Sequence, residues 1–197
     1  CLSFRISAHS FYQVNSTQTE VLYRSAMRAA GLEDGMACAG ASGDGISAAP
    51  TIIDAYCGTG TIGLVAASLA AGAQVIGVDT TESAIRDARQ NAAHNGITNA
   101  EFICADAGEF MRTCAAEQHP ADIVLMDPPR AGASEEFLQA ACALSPERIV
   151  YISCNPETQM RDIRYLTERD YVLQTIQAVD MFPHTPHVET VCSLKRT

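Results

Sequence analysis

No apolar run in this 197-residue chain is long enough to cross a bilayer, and nothing at its start reads as a signal peptide. No C-x-x-C pair occurs among its eight cysteines, which stand at 1, 38, 57, 104, 114, 142, 154 and 192, mostly in apolar surroundings. A secreted disulfide scaffold is excluded and a zinc site disfavoured, so the expectation is a reduced, cytoplasmic chain with mostly inert thiols and no metal. No internal repeat is visible. Cations are scarce: 13 Lys and Arg stand against 23 Asp and Glu, a formal net charge of −10. Nucleic acid normally selects a basic surface, because phosphate contacts dominate affinity. Any such role must therefore gather the few cations in one place or borrow them from segments outside this chain. What is plentiful is apolar: 47% of residues are hydrophobic, enough for a sizeable core and too many for disorder.

Residues 1–32 read as a lead-in followed by a helix over 16–31, with Thr17 and Glu20 suited to a capping box and Gly31 as the stop. Residues 33–50 are rich in Gly, Ala and Ser without periodicity and read as a flexible loop. From 51 to 197 the pattern alternates. Five short apolar runs, "TIIDAY", "QVIGVD", "AEFICAD", "ADIVLMD" and "ERIVYISC", each precede a helical stretch. Two extended runs, "YVLQTIQAVDMF" and "VETVCSLKR", then flank "PHTPH". Repeated β-α units predict an α/β fold: a mostly parallel sheet with helices on both faces, closed at one edge by an antiparallel hairpin.

In such sheets ligands bind beyond the carboxyl ends of the strands. Those ends here carry "YCGTGTIG", Asp79, Asp106, "DPPR" and Cys154, so every chemically suggestive residue falls on one rim. Gly58, Gly60 and Gly63 have G-x-G-x-x-G spacing after a strand, and Asp79 follows where a carboxylate commonly accepts from ribose hydroxyls. That pattern predicts an adenosine-bearing ligand and leaves NAD and S-adenosylmethionine both open. A further acidic residue after the third strand, Asp106, with Asp127 of "DPPR", tilts toward the methyl donor; the alternative for each is a helix cap or turn residue, and for Asp106 it weighs about as much. Cys154 is followed by Asn155, a good N-cap, and Pro156, suited to the first helical position. A thiol ahead of a helix N-terminus is expected to favour thiolate, which makes Cys154 a nucleophile candidate. Cys104, Cys142 and Cys192 lie within apolar segments and read as core.

"SFYQVN", "DAYCGTGTIG", "DPPRAG", "YISCNPETQMRD" and "DMFPHTPHVETV", in this order, resemble the RNA (uracil-5-)-methyltransferase family. The resemblance covers nearly the whole chain except residues 33–50. It implies a Rossmann-like class I methyltransferase fold with a seven-stranded sheet, S-adenosylmethionine as cofactor, and RNA as substrate. It also implies an RNA-binding barrel and a central domain preceding residue 1, which fits a chain opening on Cys1 rather than Met. By this resemblance Cys154 is the nucleophile and Glu189 the base. Gln13, Tyr56, Thr61, Asp79 and Asp106, with Gly58 and Gly60, match cofactor positions, and Asp127 lies between cofactor and base. Asp79 stands where the family usually has Glu, a shorter reach with two acceptors still. Arg130 offers a fixed-charge fork for phosphate or the uracil edge, with a structural ion pair as the alternative. Asn155 and His187 complete the expected substrate side, and His184 and His187 read as loop-ordering or substrate-facing rather than metal ligands. No membrane and no obligate protein partner are expected. The alternatives are an NAD-dependent oxidoreductase, which gives Cys154 and "DPPR" no task, and a fragment that holds cofactor but not RNA.

Overall fold

In a computed structural model of the chain, residues 2–5, 15–32, 49–70, 72–119 and 121–197 are described. Thirteen elements follow one another: α1 (Ser16–Ala30), β1 (Thr51–Ala55), α2 (Thr61–Leu69), β2 (Gln74–Asp79), α3 (Glu82–His94), β3 (Ala100–Cys104), α4 (Ala107–Ala116), β4 (Ile123–Met126), α5 (Glu135–Leu144), β5 (Arg148–Ser153), α6 (Pro156–Thr167), β6 (Tyr171–Val179) and β7 (Glu189–Arg196). The expected seven strands are all present, in the order β3-β2-β1-β4-β5-β7-β6. β1 to β5 pair in parallel, and β7 runs antiparallel to both β5 and β6. The strand order reverses between β1 and β4, and a crevice opens at such a reversal because successive crossovers leave on opposite sides.

The local signals have identifiable outcomes. α1 is capped by Asn15, whose side chain accepts from the Gln18 N–H, so the Thr17–Glu20 capping box expected from the sequence does not form. The Asn carboxamide two positions ahead of Thr17 takes the free N–H instead. Gly31 ends the helix in the left-handed region, φ 77°, returning its N–H to α1 carbonyls. α6 starts as expected, with Asn155 as N-cap accepting from Glu157 N–H and Pro156 in the first turn. Residues 33–48 of the expected loop lie outside the described residues.

α1, α2 and α3 cover one face of the sheet, where Leu22, Met27, Ile62, Ile52, Leu125, Val150 and Val191 are buried together. α4, α5 and α6 cover the other, around Met111, Phe137, Tyr151 and Leu166. Each such aliphatic or aromatic side chain contributes roughly 1.5–3 kcal/mol through burial, so both faces hold the strand ends in fixed register. Cys192 is buried as expected, but Cys104 is exposed: among the described residues β3 is an edge strand of the sheet. Among the described residues, no helix is long and apolar enough to cross a membrane.

Candidate active site

The turn after β1 is the first component. Tyr56 adopts φ 61°, a left-handed conformation that costs a non-glycine residue about 1–2 kcal/mol. Its ring is held by Phe137 of α5, centroids 5.0 Å apart. Burial, then the charges of Asp106 and Asp162, push its hydroxyl pKa up, so it stays neutral. Gly58 follows at φ 53°, and a side chain there would meet no atom within 4 Å. The backbone thus lies open to a ligand at the crevice, the cradle that an adenosine-bearing donor requires. Asp79, at the end of β2, accepts from Gly58 N–H at 3.0 Å on one oxygen and from Thr81 N–H at 2.8 Å on the other. Each oxygen retains a lone pair for a hydroxyl.

Thr61 begins α2, but its hydroxyl pairs with that of Tyr23 at 2.9 Å and its side chain is buried. Asp106 is the N-cap of α4, accepting from Glu109 N–H at 2.9 Å, and it remains exposed on the rim. The capping and ligand readings of Asp106 are therefore compatible, since one oxygen makes the cap. Gln13 lies outside the described residues.

The second component is a line of acidic groups crossing the sheet. Side chains alternate along a strand, so Asp54 of β1 points to the α1–α3 face with Ile52, and Asp127, just past β4, points there with Leu125. Glu189 is level with Val179 and shares this face with Val191. Cys154 follows Ser153, which pairs with Thr190, so the same register brings Cys154 across from Glu189. Asp54 is 1% exposed and accepts from Gly63 N–H at 2.8 Å. Burial lifts its pKa to about 7, with the Gly63 bond opposing and the Asp79 charge adding. Asp127 is pushed up to about 8 by burial first and then by Glu189 and Asp54. Burial also raises Glu189.

Cys154 is half-buried, and its thiol is raised above its ordinary value by burial, then by Glu189 and Asp127; Arg130 and a backbone N–H offset this in part. The expectation that the helix N-terminus would favour thiolate is corrected here. Two carboxylates and partial desolvation outweigh a partial charge at the helix end. Arg130 is exposed, and among the described residues it enters no ion pair, so the structural-pair reading gains no support. His187 is exposed, with its N–H on Thr185 Oγ1 at 3.3 Å, and His184 is exposed at φ 67°.

α6 fastens these parts together. Asn155 Nδ2 and Thr158 Oγ1 both donate to the Arg130 carbonyl at 3.2 Å. Arg161 donates to the carbonyls of Ala131 and Ala133, and Asp162 accepts from Ala133 N–H at 2.8 Å and from Tyr151 Oη at 2.7 Å. On its other side Gln159 donates to the Tyr151 carbonyl and accepts from Thr190 Oγ1 at 2.6 Å. The helix that begins beside Cys154 thus holds both the "DPPRAG" loop and the strand bearing Glu189. Sequence reading passed over Asp54, Gln159 and Asp162. The one available signal was a carboxylate inside the apolar run "TIIDA".

Comparison with known proteins adds identity to this geometry. The methyltransferase domain family matches residues 46–193. An uncharacterized RNA methyltransferase of Staphylococcus aureus is 47% identical over 189 residues, covering 96% of this chain and 38% of the relative. One from Lactobacillus johnsonii is 44% identical over 197 residues, 100% of this chain and 40% of its own length. The chain therefore spans about two-fifths of these relatives. Among solved structures, the tRNA (uracil-54, C5)-methyltransferase of Pyrococcus abyssi, in complex with S-adenosyl-L-homocysteine, superposes with a TM-score of 0.76 at 35% identity, over 98% of this chain and 42% of that one. The glycine spacing left two nucleotide ligands open, and the family decides between them. The chain belongs to the methyltransferase domain family, and its cofactor is S-adenosylmethionine.

Proposed function

We propose that the chain is the catalytic part of an RNA methyltransferase that modifies carbon 5 of uridine through a covalent bond from Cys154 to carbon 6. The observation that carries this reading is the β5–β7 register, which sets a thiol and a buried carboxylate opposite each other on the rim where the parallel strands end. The names of the relatives support RNA as the substrate, and the Pyrococcus abyssi enzyme supports the uracil carbon. The RNA-binding barrel and central domain of the resemblance would occupy the part of the relatives that this chain does not span.

Uracil carbon 5 is a weak nucleophile, and covalent catalysis divides its methylation into easier steps. Bound S-adenosylmethionine supplies an electrophilic methyl group on a cationic sulfur. As thiolate, Cys154 adds to carbon 6; the C5–C6 π pair moves into the C4–C5 bond and the carbonyl π pair onto the C4 oxygen, an enolate whose carbon 5 would take the methyl group as the S–CH3 bond breaks and neutral S-adenosylhomocysteine is left. Once carbon 5 is methylated, ionised Glu189 takes its proton. That electron pair re-forms the C5–C6 double bond as the sulfur leaves as thiolate. Tyr56, Gly58, Gly60, Thr61, Asp79, Asp106 and Asp127 would hold the donor, with Gln13 from the preceding segment. Arg130, Asn155 and His187 would face the RNA. Arg130 also offers a positive charge that favours thiolate. A base within folded RNA must be flipped out to reach this rim.

Trapping with 5-fluorouridine RNA and S-adenosylmethionine tests the reading, because fluorine cannot be abstracted as a proton. The full-length wild type is expected to give a stable adduct and Cys154→Ala none, whereas Glu189→Gln accumulates a methylated covalent intermediate with ordinary RNA. An adduct that survives Cys154→Ala moves the nucleophile elsewhere.

A further inference from the structure

The scarce cations are unevenly placed. Arg28 of α1, Arg148 at the start of β5 and Lys195 near the end of β7 line one cleft of about 310 Å³. Hydroxyl and amide groups, among them Ser193, Thr175 and Gln177, complete the lining, and none of the lining residues is acidic. In a chain of net charge −10 this is a local reversal of sign. Arg148 donates one Nη to the Ala29 carbonyl at 3.1 Å, while its Nε is buried with no protein acceptor, so the guanidinium is incompletely satisfied. Lys195 Nζ is ion-paired with Glu147 at 3.9 Å, a loose contact that a phosphate could share.

The position of the cleft relates it to the candidate active site. Alternation along β7 puts Lys195, Ser193, Val191 and Glu189 on one face. At about 3.4 Å per residue, Lys195 and Glu189 lie roughly 20 Å apart along the strand, a span that a few nucleotides of extended chain cover. The neighbouring β6 is an edge strand with mostly exposed side chains, so the cleft opens to solvent along that edge.

We propose that this cleft between α1 and the β5–β7–β6 end of the sheet holds backbone phosphates of the RNA strand that flanks the target uridine. This rests on the reading of the chain as an RNA methyltransferase. It also accounts for how so acidic a domain can hold a polyanion: phosphate contact is confined to one groove, while the acidic line stays at the base and donor.

The test is fluorescence anisotropy of a short labelled oligouridylate against the protein over a salt series, comparing wild type with Arg28→Gln/Lys195→Gln. Arg148 is left in place because it caps α1. Each lost phosphate contact removes about 0.7 from the slope of log affinity against log salt for a single strand. The double variant is therefore expected to bind several-fold more weakly, with a slope smaller by about 1.4, and with unchanged S-adenosylmethionine affinity. An unchanged slope overturns the proposal, as does absence of oligouridylate binding by the wild type at low salt. If uridine monophosphate loses as much affinity as the oligomer, the cleft takes a free nucleotide and the strand reading fails. The 5-fluorouridine adduct separates the two levels. An adduct with an unchanged slope overturns the cleft alone, whereas a reduced slope without an adduct overturns the uridine chemistry and leaves the cleft standing.

Discussion

Cys154 stands between opposed influences, and their balance is measurable. Burial, Glu189 and Asp127 favour the thiol; Arg130 and a backbone N–H favour the thiolate. The rate of alkylation by iodoacetamide followed against pH reports the thiolate fraction. In the wild type its midpoint is expected above the ordinary thiol value of 9.0. Glu189→Gln and Asp127→Asn each remove a nearby negative charge and should lower that midpoint, whereas Arg130→Gln should raise it. If neither carboxylate variant moves it, these side chains do not face the sulfur and the acidic line is wrongly drawn. The same residue shows the limit of a local rule. The N-cap and the proline were both legible beside Cys154, but the charges that govern its titration come from β4 and β7, which no neighbouring residue announces.

Among the elements, α6 integrates the site, and its contribution can be isolated at Asp162. This carboxylate is fully buried, pairs with Arg161 at 2.7 Å, and accepts from Tyr151 Oη and Ala133 N–H. Asp162→Ala leaves three donors without their acceptor; Arg161 is more than half exposed and turns to water, whereas the buried Tyr151 Oη and Ala133 N–H are expected to cost about 1–3 kcal/mol each. Urea unfolding measures this, and 5-fluorouridine trapping should slow as the Arg130 loop loosens. A loss under about 1 kcal/mol would mean that water or Arg161 replaces the bonds readily. The comparison also explains what the sequence conveyed. Strand and helix alternation, the glycine turn and the Asn155–Pro156 start are written in adjacent residues, and the structure repeats them. The partners of Asp54 and Asp162 sit on other elements, Gly63 in α2 and Ala133 in the loop before α5, so their roles appear only once the sheet is assembled. The two extended runs around "PHTPH" announce the edge hairpin, whereas the exposure of most of the outer strand, β6, is not written in them. Its position at the sheet edge is a property of strand order rather than of composition.

For the molecule as a whole, the concentration of acid at one rim makes stability depend on pH in an unusual direction. Most carboxylates in folded proteins are stabilised when ionised, and the fold weakens as acid is added. Asp54 and Asp127 behave oppositely, with native pKa values of about 7 and about 8 against an unfolded value of 3.8. Between these limits the folded chain keeps protons that the unfolded chain has lost. The contribution of the pair is therefore fully present below about pH 4 and is lost as pH rises through about 7 and 8. Asp127→Asn removes one titrating group while preserving size and a hydrogen-bonding amide. The stability of this variant relative to wild type, read from urea unfolding, should be lowest in acid, climb across neutrality and level off above about pH 8. A relative stability that is flat with pH would mean that Asp127 is already ionised in the native protein. On the proposed reading Asp127 borders the donor, and a cationic methyl donor there would favour its ionised form and, at longer range, that of Asp54. Saturating S-adenosylmethionine should accordingly shrink the pH dependence in the wild type and leave that of Asp127→Asn less changed. The neutral S-adenosylhomocysteine should do so more weakly, because it brings the same adenosine without the sulfonium charge.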